Sequence, residues 1–134
     1  NSILFLRDFK HVNIVEKNID IYDTLVKNLN SFNNKNTYNC SYNTIKFTLK
    51  QDVIFIDPPW GGNFYKIKKK IKLYMDDINI IDVINDLYHF AKIIFLKIPN
   101  NFDLSCLSTH FWYNKIYNIT KNKKCIYKLL IFHK

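Results

Sequence analysis

Glycine is nearly absent from this chain. Of its 134 residues only two are glycine, the adjacent Gly61 and Gly62, so it contains neither a GxGxxG nucleotide fingerprint nor a Walker phosphate loop. Any ligand cradle that needs several glycines lies outside these residues or is not used. Cysteine is scarce too. Cys40, Cys106 and Cys125 are far apart and odd in number, which argues against a disulfide framework or a CxxC metal site. His11, His89, His110 and His133 form no HxxxH pair, and no metal is expected. No apolar run approaches the roughly 20 residues of a membrane span, and no charged-then-apolar leader with a small-residue cleavage site opens the chain. These absences predict an intracellular, unsecreted protein with no membrane partner.

What is present is a hydrophobic fraction of 48% with 16% aromatics, enough for a core in one compact domain over residues 1–134. The formal charge is +9, and every basic residue but Arg7 is lysine. Lysines gathered on one face attract phosphates by charge alone. An AT-rich genome would produce the same excess of lysine, asparagine and isoleucine, so charge by itself leaves the partner open.

Periodicity supplies the organisation. Val12 to Glu16 is short and β-rich, and Ile19, Tyr22, Leu25, Val26, Leu29 and Phe32 follow at helical spacing. The Asn-rich 33–43 stretch predicts a loop with a short strand around Tyr38 to Cys40. Val53-Ile54-Phe55-Ile56 is an uninterrupted apolar run of the kind buried on both faces of a parallel sheet. After a lysine-rich connection, Asp76 and Asp77 are placed to cap a helix carrying Ile78, Ile81, Ile84, Leu87, Tyr88 and Ala91. Ile93 to Ile98 reads as another buried strand closed by Pro99. Two β-rich pieces follow, near Trp112 to Ile119 and Cys125 to Phe132, about a turn at Lys121 to Lys124. The order predicts an α/β fold, a mostly parallel sheet with an antiparallel C-terminal hairpin.

Residues 57–62, Asp-Pro-Pro-Trp-Gly-Gly, carry the chemistry. A carboxylate at the C-terminal end of a parallel strand stands where open α/β sheets bind ligands. The prolines stiffen the backbone behind it, Pro59 forcing Pro58 into an extended conformation. The loop thereby presents Asp57 and the Pro58 carbonyl as acceptors and Trp60 as a stacking surface. Alkylation of an exocyclic amino group on a nucleobase needs this set. The nitrogen lone pair is delocalised into the ring, so its N–H bonds must be held by acceptors while the nitrogen pyramidalises and the base is kept in plane.

These residues resemble the fourth motif of class I S-adenosylmethionine-dependent methyltransferases that act on amino groups. The extension from Pro58 through Gly61, Gly62 and Tyr65 is similar to the trimethylguanosine synthase family, the RNA cap guanine-N2 methyltransferases. Asn1-Ser2-Ile3 resembles the Asn-Thr-Ile after that family's glycine-rich first motif, Val12 to Glu16 its second strand, and Ile98-Pro99-Asn100-Asn101-Phe102-Asp103 its Leu-Pro-Arg-Asn-x-Asp. The resemblance implies a Rossmann-like fold and methyl transfer from S-adenosyl-L-methionine to N2 of a 7-methylguanosine cap, with capped RNA as partner. It makes Asp57 and Pro58 catalytic. Trp60, Tyr65, Pro59, Asn101 and Lys97 become the substrate-binding set, and Glu16, Cys40, Ser41, Asn1 and Asp57 the cofactor-binding set. A capped-RNA substrate places the protein in the nucleus or, for a viral gene, the host cytoplasm.

Asn100 stands where the family has arginine, and Cys40-Ser41 where it has an acid. The family's first strand, central in its sheet, and its glycine loop have no counterpart here. A sheet without its central strand leaves two rows of backbone groups unpaired, so the chain is expected to be a piece of a longer protein that binds cofactor poorly unless an upstream segment completes it. Adenine N6 or rRNA guanine N2 remains open as an alternative target, as does a non-catalytic cap- or RNA-binding module.

Overall fold

The computed structural model describes residues 2–107 and 112–133. Asn1, with its expected cofactor contact, lies outside them. The chain divides into two compact units, Asn1–Leu49 and Lys50–Lys134.

The first unit runs α1 (Ser2–Asp8), β1 (Val12–Val15), α2 (Ile19–Asn28), β2 (Lys35–Tyr38) and a single turn α3 (Tyr42–Ile45). β1 and β2 are parallel, in register from Val12 opposite Lys35 to Val15 opposite Tyr38. That pairing draws Lys35 and Asn36, poor strand formers, into a ladder with Thr37 and Tyr38 and sets the strand before the expected 38–40, a case of context overriding β-propensity. Asn18 starts α2 by accepting from the Ile21 amide at 3.0 Å, which satisfies one orphan donor of the first turn. Leu6, Ile14 and Leu29 form the core, with Val12, Leu25 and Phe32 packed against them. Ile19, expected on the apolar stripe, is 54% exposed. Leu29 is the C-cap of α2, so Phe32 reaches the core from the turn beyond the helix.

In the second unit a four-stranded sheet has the order β3-β6-β8-β7. β3 (Val53–Ile56) and β6 (Ile93–Ile98) are parallel, joined through α4 (Ile80–Asp86). β7 (Tyr113–Lys121) and β8 (Lys124–His133) form the C-terminal antiparallel hairpin, with β8 against β6. Ile80, Val83 and Ile84 from α4, Ile94, Leu96 and Ile98 from β6, and Leu130 and Phe132 from β8 are wholly buried. Leu96 faces Leu130 and Ile94 faces Phe132 across the ladder. At roughly 1.5–3 kcal/mol for each such side chain, this row is the main support of the sheet. The apolar runs are not buried on both faces as expected. In β3 and β6 alternate residues are fully buried and the others only half-buried.

Asp76 and Asp77 do not cap α4. Both have positive φ, 49° and 65°, the conformation of a tight two-residue hairpin turn, and they join two short strands, β4 (Tyr74–Met75) and β5 (Ile78–Asn79). The cap is Asn79, whose Oδ1 accepts from the Ile81 amide at 3.0 Å, and Ile78 lies on β5, before the helix. Asn79→Ala is expected to lower stability in denaturant unfolding by about 1 kcal/mol. Asp77→Gly relieves a left-handed residue and is expected to leave stability unchanged or higher. A loss of about 1 kcal/mol in Asp77→Gly instead would restore Asp77 as a capping residue.

Candidate active site

Parallel pairing of β3 and β6 puts the C-terminal ends of both strands on one side. Ile56, the last residue of β3, is in register with Leu96, so Asp57 emerges from the sheet beside Lys97, which stays on β6 opposite Leu129. Lys97 Nζ donates to Asp57 Oδ2 at 2.6 Å, and both side chains keep some solvent contact, 22% for the lysine and 37% for the aspartate. The ammonium also lies 5.4 Å from the Trp60 ring centre and 5.2 Å from that of Tyr127, within cation–π range of both. Tyr127, on β8, had no mark in the sequence, because only the β6–β8 register brings it beside Lys97.

Pro58 is buried, Pro59 exposed and Trp60 half-buried. The Trp60 indole Nε1 is buried and has no hydrogen-bond partner among the described residues. Beyond it the chain must reverse to bring Tyr65 back. Gly61 and Gly62 do this with φ of 90° and 61°. A Cβ on either would meet nothing within 4 Å, so the left-handed backbone, rather than space, requires glycine here. The 3₁₀ turn Gly62–Ile67 that follows sets Tyr65 edge-on to Trp60, with ring centres 5.3 Å apart and planes at 80°, a favourable aromatic geometry.

Asn101 Nδ2 donates to the carbonyls of Tyr65 at 2.6 Å and Lys68 at 2.8 Å. Its amide protons therefore hold the Tyr65 turn in place. Asn100 Nδ2 donates to the Cys125 carbonyl at 2.8 Å, and Cys125 Sγ donates to Asn100 Oδ1 at 3.0 Å. Asn100, which stands at the arginine position of the resembled motif, is thus tied to the C-terminal hairpin. Three residues after Asn100, Asp103 is held below the usual carboxylate range, first by the Ser105 hydroxyl and amide and then by Lys70.

Glu16, Cys40 and Ser41 belong to the first unit, at the C-terminal ends of β1 and β2. The Glu16 amide continues the ladder by donating to Tyr38 O at 3.0 Å, and its Oε1 accepts from the Asn18 amide at 2.8 Å. Asn39 Nδ2 donates to the Glu16 and Lys17 carbonyls, tying the two strand ends together. Ser41 is the N-cap of α3, its Oγ accepting from the Asn43 amide. Cys40 is a half-buried thiol.

Among the described residues no group of three or more His, Cys, Asp or Glu is placed to hold a metal ion, and no helix is long and apolar enough to cross a membrane. Comparison with known proteins matches residues 1–131 to the family model described as RNA cap guanine-N2 methyltransferase. The chain is also similar to an uncharacterized protein of Acanthamoeba polyphaga mimivirus, 32% identical over 138 residues that cover 98% of this chain and 52% of that protein. It thus spans about half the length of that relative.

Proposed function

The chain belongs to the RNA cap guanine-N2 methyltransferase family, and from that premise we propose that it is the part of a methyltransferase that holds a 7-methylguanosine cap and presents its exocyclic N2 amine for methylation. The observation that supports this most is the meeting of Asp57, Lys97, Trp60 and Tyr65 at the C-terminal ends of β3 and β6. Asp57 and the Pro58 carbonyl accept the two N–H bonds of the amine, drawing its lone pair out of conjugation. Trp60 stacks on the base, whose positive charge strengthens the contact with an indole face. Tyr65 closes the pocket edge-on, with Pro59 at its rim, and the Trp60 indole N–H is a buried donor suited to a ligand acceptor. Lys97 balances the Asp57 carboxylate. Asn101 acts by positioning the Tyr65 turn.

The methyl group would come from S-adenosyl-L-methionine, whose sulfonium supplies an electrophilic methyl. Glu16 fits its ribose: the carboxylate ends a parallel strand, and the Asn18 amide orients one of its oxygens so that it can accept from hydroxyls. Cys40 and Ser41, at the end of the neighbouring strand, are assigned to the adenine. A Rossmann-like arrangement also needs a strand beside β3 and a glycine loop. β3 is an edge strand and β1 belongs to a separate two-stranded sheet, while Gly61 and Gly62 are the chain's only glycines. We therefore assign residues 1–134 to one catalytic domain that further sequence completes. Its substrate would be met in the nucleus or, for a viral gene, the host cytoplasm.

The test is labelled-methyl transfer by the full-length protein. A 7-methylguanosine-capped RNA is expected to accept methyl and the same RNA with an unmethylated cap to accept far less. Transfer to adenine or to internal guanine, with none to the cap, would reassign the substrate. Cap binding without transfer to any of them would favour a binding module, the reading that the scarcity of glycine supports.

A further inference from the structure

We propose that the groove between residues 65–68 and the β7–β8 hairpin is a phosphate track for the RNA strand that follows the cap, a role that rests on the cap reading above. The groove has a volume of about 720 Å³, far more than a single phosphate needs. Lys66 and Lys68 border one bank, Lys121 and Lys124 the other. Among the described residues no carboxylate lines it, and none of the four ammonium groups is ion-paired with one. Lys70, Lys92 and Lys97 of the same unit each have an acidic partner, whereas the four groove lysines face one another across a single concavity. A concave surface with four such lysines and no acid is complementary to a polyanion.

The banks are preset from one point. Asn101 holds the 65–68 bank through the Tyr65 and Lys68 carbonyls. Its neighbour Asn100 holds the hairpin bank through the two-way bond with Cys125. The hairpin tip turns tightly through Asn122 and Lys123, with φ of 51° and 62°, which keeps Lys121 and Lys124 opposite one another as the last ladder pair. A surface ordered before binding loses less freedom when it binds. Tyr65 lines the groove and also abuts Trp60, so the groove begins beside the proposed base site. An RNA whose first base lies on Trp60 passes Tyr65 and lays its following phosphates between the lysines.

The experiment compares binding of two probes by the full-length protein: the 7-methylguanosine cap dinucleotide, and a capped single-stranded RNA of about ten nucleotides, within the length that one single-strand groove tracks. In the Lys121→Ala/Lys124→Ala variant the loss of affinity for the RNA is expected to exceed the loss for the dinucleotide at least about fivefold. The salt dependence of RNA binding should become shallower by about 1.4 in log K against log salt, from about 0.7 for each phosphate contact on a single strand. Asn100→Ala removes no charge, so it should weaken RNA binding with the wild-type slope. Equal losses on both probes, or an unchanged slope in the double lysine variant, would overturn the track. The slope is also read on uncapped RNA of the same sequence. If wild-type protein shows no preference for the cap, the cap reading fails, and the slope change on uncapped RNA still decides the groove.

Discussion

Replacing Asp57 with alanine is expected to lower the turnover of methyl transfer to capped RNA by roughly 10²- to 10³-fold, the usual cost of removing one preorganised polar group that acts on developing charge. Affinity for the cap should fall far less. The Asp57 acceptor matters most as the amine pyramidalises and its N–H bonds polarise, so its loss belongs to kcat rather than to ground-state binding. Stacking on Trp60 remains, but Lys97 loses its partner at 2.6 Å. It then stands as an uncompensated cation beside a positively charged base, and this predicts a modest rise in KM. Asp57→Ala combined with Lys97→Met should recover that KM while leaving kcat low. Asp57→Asn keeps one acceptor and should lie between the two. Steady-state kinetics on the full-length protein separate these effects. A kcat within a factor of a few of wild type would remove Asp57 from the chemistry.

Trp60→Ala should weaken binding of the 7-methylguanosine cap by about 10²-fold. Base stacking on one aromatic contributes about 1–3 kcal/mol, and the cation–π component of a charged base adds about 0.5–2 kcal/mol. Two further results tie the loss to the indole face. Selectivity for the 7-methylated over the unmethylated cap should collapse in Trp60→Ala, because only the charged base gains from the ring quadrupole. Trp60→Phe should keep part of both. Trp60 also supports Tyr65 through the edge-on contact at 5.3 Å, so Tyr65→Ala is the companion variant. It is expected to cost less than Trp60→Ala and to preserve the preference for 7-methylation. Calorimetric titration with the cap dinucleotide measures all four proteins. An unchanged dissociation constant in Trp60→Ala would remove the stacking role.

The strands that carry the site were legible from residue pattern. Val53–Ile56 and Ile93–Ile98 read as strands from β-branched apolar runs that end at Asp-Pro-Pro and at Pro-Asn, and both ends hold in the structure. Asp57, Trp60 and Tyr65 stood out because an acid, two prolines, an aromatic and a glycine pair have a joint meaning at a strand end. Elsewhere local signals misled. Asp76 and Asp77 before an apolar run resemble an N-cap, yet the chain uses them at positive φ to turn a hairpin, and Asn79 caps the helix. Lys35 and Asn36 are poor strand formers and join Thr37 and Tyr38 in a strand because β1 supplies the partner ladder.

The sequence by itself determined the alternation of helices and strands and the stiff acceptor loop at 57–60. Each of these depends on residues adjacent in the chain. Only the tertiary structure decided that Lys97 would neutralise Asp57, that Tyr127 would lie beneath that lysine, and that Asn100 would be tied to Cys125. These contacts join residues 25–40 positions apart, and they arise from strand register, which no local pattern encodes. One residue of slip along β6 would turn Lys97 to the opposite face and leave Asp57 without its partner.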